Sequence, residues 1–274
     1  MVERVTLIDL AGADLDRPLF RIYPIWLFDA ALITNGGNLA VVPPRKWEDP
    51  NEDPCGRIQM AFGREQQPFS EYLQSAYGQC WSFEGESDVL MRAYSRVNRD
   101  SVVGRNTEPR LEGVKVRTTV RRLSDALARH AERRGDDFYQ FYIAKVSYID
   151  NPAQACMNRL REIGPTRLGQ GWDRARSLTF KRIAYQHEQE VRVIALTKVP
   201  SNYDYIAIDV DKNAVFEEIS FDPRLGGLDR GEREARVRAL GYTGPVTLDD
   251  SYVHIAYLTH LPTHWSDLDA RNAN

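Results

Sequence analysis

TFKRIAYQHEQEVRVIALT, residues 179–197, is the stretch on which both the fold and the candidate chemistry turn. As one extended strand it sends Glu188, Glu190 and Arg192 to one face and Val191, Val193 and Ala195 to the other, because successive side chains alternate. The apolar set predicts a half-buried strand. The charged set has two readings. One is a solvated face, where each exposed ion pair contributes only about 0–1 kcal/mol; the other is a site.

The rest of the composition bounds those readings. Of the 274 residues, 42% are apolar and 27% charged, proportions that support a sizeable core and argue against disorder. A formal charge of −3 predicts no whole-chain attraction to nucleic acid or to an anionic membrane. Locally, basic residues outnumber acids between Arg105 and Arg134; this run reads as a solvated helix and strand face, with a basic patch as the alternative. Cys55, Cys80 and Cys156 are widely separated and show neither metal-ligand spacing nor a disulfide framework. The N-terminus lacks a secretory pattern, and no apolar run approaches the ~20 residues of a membrane span. A soluble, cytoplasmic protein without a membrane partner is expected.

Along the chain, YPIWLFDAALITNGG places Pro24 at a first helical position, with a stop at Gly36-Gly37. NLAVVPP follows as a strand, and RKWEDPNEDPCG as a loop because of its prolines and Asx residues. Residues 65–78 read as a helix. GVKVRTTV (113–120) alternates as a strand, followed by a helix capped at Ser124 and ended at Gly135. FYIAKVSYID is a strand, and residues 151–172 hold a helix and then a glycine-rich loop. VRVIALT, YIAIDV and AVFEEISF are further strands. A helix near GEREARVRALG and a last strand, SYVHIAYL, complete the pattern, with the tail 266–274 frayed. With no internal repeat or low-complexity linker, the expectation is one α+β domain over residues 1–274, strand-rich with flanking helices.

Several chemistries find little support. LGQGW (168–172) lacks the strand-to-helix context of a phosphate loop. The five histidines show no metalloprotease spacing, THLPTH reads better as a polar terminal loop than as a metal site, and no Gly-x-Ser-x-Gly elbow occurs. Three clusters remain: Arg21 and Tyr23 on one strand face, the CWSFEGES run with Ser82 and Glu86, and the Glu-x-Glu strand. An arginine can pair with pyrophosphate oxygens, serine and aromatic groups can position a nicotinamide, and a fixed carboxylate can stabilise an oxocarbenium-like ribose as nicotinamide departs.

The chain also resembles a bacterial domain-of-unknown-function family found in hypothetical and some phage-defence proteins. The resemblance is carried by Phe20-Arg21-Ile22-Tyr23, WEDPNE, CWS at 80–82, ESDVLMRAY at 86–94, GVKVRTTVRRL, AKVSYID, FKRIAYQHEQEVRVI and FEEISFDPR, in that order. Arg92 stands where the family has tryptophan, and Asn51 where it has an aromatic residue. The order of Arg, Ser and Glu-x-Glu is similar to that of the Arg-Ser-Glu ADP-ribosyltransferases, including their DNA-modifying toxin branch. That likeness implies an ADP-ribosyltransferase-like core using NAD as substrate, with Glu190 and Glu188 as catalytic carboxylates and Arg21 holding the dinucleotide. Tyr23, Trp81, Ser82, Tyr94 and Lys181 would complete the NAD site, and Arg192 would be a supporting or acceptor contact. No metal is expected. The acceptor would be nucleic acid, protein or water, and an antitoxin partner is compatible with a toxin or phage-defence role. Two alternatives stay open: a catalytically silent nucleotide- or nucleic-acid-binding module, and a metal-dependent nuclease built on Glu86, Lys181, Glu188 and Glu190.

Overall fold

The computed structural model describes residues 4–33, 37–47, 49, 51–134, 139–249, 256 and 258–259. β1 (Val5–Ile8) precedes β2 (Pro18–Pro24), which runs directly into α1 (Ile25–Ile33) and is followed by β3 (Asn38–Val41). β4 (Gln59–Phe62) and β5 (Glu65–Pro68) pair as a hairpin, and β6 (Ala76–Ser82) leads to α2 (Asp88–Tyr94). β7 (Gly113–Thr119) is continuous with α3 (Val120–Arg134), and β8 (Tyr139–Lys145) is followed by β9 (Ser147–Ile149). α4 (Pro152–Ile163), α5 (Pro165–Leu168) and α6 (Gly171–Ser177) precede β10 (Phe180–Arg182) and β11 (Glu190–Thr197). β12 (Ile206–Asp209), α7 (Lys212–Val215), β13 (Glu218–Phe221), α8 (Gly227–Ala239) and β14 (Val246–Thr247) complete the α+β architecture.

One eight-stranded mixed sheet, in the order β1-β8-β11-β6-β2-β7-β13-β14, organises the molecule. Its third strand, β11, comes from the opening stretch, but that stretch is not a single strand. β10 ends at Arg182, a 3-10 segment covers Ile183–Glu188, and Gln189 takes a left-handed φ of 43° that turns the chain into β11. Glu188 therefore lies before the strand and Glu190 on its first residue. Nor is β11 half-buried: all eight positions are buried. It pairs antiparallel with both β6 and β8. Val191, Val193 and Ala195 join the main core with Leu123 and Leu127 of α3, while Ile194 and Leu196 pack with Ala175 and Leu178 beside α6. A layer on each face replaces the expected solvent side.

Other expectations need correction. Residues 65–78 are not a helix but β5, a 3-10 turn at Phe69–Tyr72 and the start of β6. Pro68 explains this, since it lacks an N–H and drives the preceding residue away from helical angles. α3 starts at Val120, with the Thr119 hydroxyl accepting the Arg122 N–H at 3.2 Å, so Ser124 is interior rather than a cap. The glycine-rich loop after α4 is folded into α5 and α6, and the front of AVFEEISF is the end of α7. The stops at Gly36 and Gly135 and the tail 266–274 lie outside the described residues, as does most of the expected strand at 251–258.

The feature that creates the site is a seam in the sheet. β2 pairs with β7 over seven residues but meets β6 at one pair only, Phe20 with Ser82. Gly78, farther along the same margin of β6, bonds instead to Val42 just beyond β3 (3.0 and 2.8 Å). Between those two points the strands diverge, and Arg21 donates its Nη1 across the gap to the Cys80 carbonyl.

Candidate active site

A cavity of about 530 Å³ opens along this seam, lined by β2, β6, the loop after β6, α2, the loop containing Asp49 and Glu52, and the segment 181–190. That volume lies within the range of small-molecule sites. Cross-strand register sets one wall: Ser82 faces Glu190 and Cys80 faces Arg192, so these four side chains share one face of the β6-β11 pair.

Beneath this wall lies a buried cluster centred on Lys181. Its ammonium is 2.5 Å from Glu188, 3.0 Å from Glu190 and 2.8 Å from Glu52. Arg192, fully buried, donates Nε to Glu190 Oε1 (2.7 Å) and Nη2 to Oε2 (3.1 Å), and reaches Glu52 at 3.3 Å. A further Arg192 N–H bonds the Leu178 carbonyl at 2.5 Å, and the Trp47 ring stacks 4.5 Å from the guanidinium. The Glu190 N–H donates to the Tyr148 hydroxyl (2.8 Å), fixing the backbone where β11 begins.

The electrostatics follow from burial and pairing. Burial favours the neutral form of Glu190, but the Arg192 guanidinium and then Lys181 outweigh it and hold the carboxyl at about 2. Burial pushes Glu52 the other way; Arg192 and Lys181 oppose that push, the Glu190 charge reinforces it, and the Glu52 carboxyl ends above its ordinary value. The Cys80 thiol is raised well above the usual range by burial and by the adjacent Glu190 charge.

The sequence-derived candidates divide clearly. Arg21, Trp81, Ser82, Tyr94, Lys181, Glu188 and Glu190 all line the one cavity. Tyr23 does not. It is 1% exposed in the main core, against Phe28 and Trp81, and its ring supports the Arg21 guanidinium from 4.8 Å. Burial raises its hydroxyl to about 12. Trp81 is also largely behind the wall, 2% exposed, donating Nε1–H to Gln79 (3.0 Å). Ser82 serves the backbone: its hydroxyl donates to the Glu188 carbonyl (2.5 Å) and accepts the Glu84 N–H (2.9 Å).

Glu52, Trp47, Cys80 and Tyr148 were not among the candidates. Their loop or strand was legible, but local sequence carries no sign of which acid in WEDPNEDPCG turns inward. The inward turn is made by charge pairing: Asp49 reaches Arg182 (3.0 Å), Glu52 reaches Lys181, and Asp53 binds Arg174 through both oxygens (2.8 and 2.7 Å).

Two alternative chemistries can be tested against this geometry. Of the acids of the metal-nuclease alternative, Glu188 and Glu190 are both held by the Lys181 ammonium, Glu86 lines the same cavity, and no group of three or more His, Cys, Asp or Glu that could hold a metal ion occurs among the described residues. Much of the basic run is paired with acids: Arg105 with Asp229 and Glu232, Arg121 with Asp16, Arg122 with Glu217. Among the described residues, no helix is long and apolar enough to cross a membrane.

No family model matches the chain, and no curated protein sequence matches it. Among solved structures it is similar to DarT of Thermus sp. 2.9, in complex with NAD+ and in complex with ADP-ribosylated ssDNA. Each comparison has 11% identity and a TM-score of 0.35, over 86% of this chain and 98% or 96% of the other. A superposition this loose transfers no residue role from one chain to the other.

Proposed function

We propose that the seam cavity binds NAD and that the protein is an ADP-ribosyltransferase-like enzyme, passing ADP-ribose to a nucleic acid or protein acceptor or to water. The observation that carries this reading is the gathering of Arg21, Ser82, Glu188 and Glu190 around one cavity from three separate chain segments. Their charges suit the parts. Lys46, Lys115, Lys181 and Arg182 of the lining each hold a carboxylate, whereas Arg21 has none among the described residues. Arg21 is thus the lining cation left for pyrophosphate oxygens. Glu190, ionised throughout the physiological range, would face the positive charge that develops at the ribose as nicotinamide leaves. Ser82 would act through the backbone, fixing the Glu188 carbonyl and so the approach to Glu190. The test is nicotinamide release from NAD by the purified protein: turnover in the wild type that is lost in a folded Glu190→Gln variant is the expected result, and no release overturns the reading.

A second reading draws on one observation. Glu190 already accepts three hydrogen bonds, from Arg192 twice and Lys181 once, as a purely structural carboxylate would. On that reading the cavity binds a nucleotide without chemistry, and calorimetry would record NAD binding with no nicotinamide release. A toxin or phage-defence role and an antitoxin partner belong to the enzymatic reading alone.

A further inference from the structure

Glu52 comes to the Lys181 cluster from a loop far from β11 in sequence, and two cations hold it there. Lys181 and Arg192 both contact its Oε1, at 2.8 and 3.3 Å. The residue also lines the cavity. Three carboxylates and two cations make up the cluster, so one carboxylate lacks a positive charge of its own. Glu190 is not that one, since it is bonded by both cations. Glu188 has Lys181 at 2.5 Å and is partly open to solvent, which lowers the cost of its charge. Glu52 is 5% exposed and shares both its cations with Glu190.

The groups facing Glu52 are Lys181 from β10, Glu190 and Arg192 from β11, and the Cys80 thiol from β6, with Glu188 on the far side of the shared Lys181 ammonium. On its own loop, Asp49 and Asp53 are drawn away to Arg182 and Arg174. Burial together with the Glu190 charge raises its affinity for a proton, as suits a group that exchanges protons nearer neutrality than an ordinary carboxylate.

We propose that Glu52 is the general base of the site, taking the proton of the attacking acceptor; this rests on the transferase reading above. The acceptor O–H or N–H, or water, attacks C1′ of the nicotinamide ribose. The new bond to C1′ forms as the C1′–N1 bond breaks, neutral nicotinamide leaves with the bonding pair on N1, and the acceptor's proton passes to Glu52. Glu190 stays ionised throughout as the fixed charge. Lys181 and Arg192, at 2.8 and 3.3 Å, hold the Glu52 carboxylate in place at the cavity wall for the transfer.

The test is the pH profile of nicotinamide release for the wild type, Glu52→Gln and Glu52→Asp, each checked for folding by circular dichroism. The wild-type rate should rise with pH through a limb above the ordinary carboxylate range. Glu52→Gln should lose that limb and about 10²–10⁴ of the rate, with KM for NAD unchanged. Glu52→Asp should recover part of the rate on a displaced limb, and it carries the test alone if the glutamine variant does not fold. A limb that stays in place in both folded variants overturns the role of Glu52 and leaves the transferase reading standing. No release from the wild type with any acceptor overturns both.

Discussion

Glu190 carries its charge among fixed donors, and that has a consequence for stability as well as for chemistry. Its folded-state value of about 2 lies below the ordinary 4.5, so the native state prefers the ionised form. The linked stability is fully present above about pH 4.5 and is lost as pH falls through about 2, amounting to on the order of 3 kcal/mol. Glu52, raised rather than lowered, has the opposite sign: its contribution is present below the ordinary value and fades as pH rises through the folded one. Acid unfolding followed by tryptophan fluorescence should therefore flatten between pH 4.5 and 2 in Glu190→Gln. Arg21 makes a separate prediction. A lysine there cannot both stack on Tyr23 and offer a planar fork to an anion. Arg21→Lys should weaken NAD binding roughly 10–100-fold, the worth of one or two charge-assisted hydrogen bonds, as read by calorimetry.

At the level of elements, the loop between β3 and β4 is tied down by three acids: Asp49 to Arg182, Glu52 to Lys181 and Arg192, and Asp53 to Arg174. Removing one tie exposes the logic. Asp53→Asn leaves the Arg174 guanidinium, 3% exposed, without its carboxylate, and should cost about 3–5 kcal/mol in denaturant unfolding. Gly78 supports the same loop from below. A Cβ there would sit 2.7 Å from the Trp47 ring and 3.3 Å from the Val193 carbonyl. Gly78→Ala should therefore push Trp47 off Arg192, cost about 1–3 kcal/mol and weaken ligand binding, both measurable by thermal shift with and without NAD. Element by element, the strands with strong alternation were legible: GVKVRTTV, VRVIALT and YIAIDV all sit where their patterns put them, within a residue or two. Residues 65–78 were not, because Phe69, Tyr72 and Leu73 have helical spacing but pack onto a small separate core with Cys55 and Cys156. Arg21, Ser82 and Glu190 could be singled out from residue type and order. Glu52 could not, because its inward turn depends on Lys181 and Arg192, more than a hundred residues away.

At the scale of the whole molecule, the strand order carries what no local pattern could. The chain places β11 and β6 together in one half of the sheet and β2 and β7 in the other, and the cavity forms where the halves meet. A ligand seated there touches both halves, so it must stabilise the native state: NAD at a hundred times its dissociation constant should add about 2.7 kcal/mol, visible as a raised melting temperature. The arrangement of that boundary has one more implication. On the margin of β6 turned toward β2, Gly78 bonds to Val42 and Ser82 pairs with Phe20, but among the described residues no strand stands opposite Cys80, whose carbonyl is met by a side chain instead. Among the described residues that peptide unit is left out of the ladder, and it lines the cavity where a small guest can reach it. Its amide hydrogen should exchange with heavy water faster than those of Gln79 and Trp81 beside it, and should slow when a guest with a carboxamide of its own supplies the missing rung.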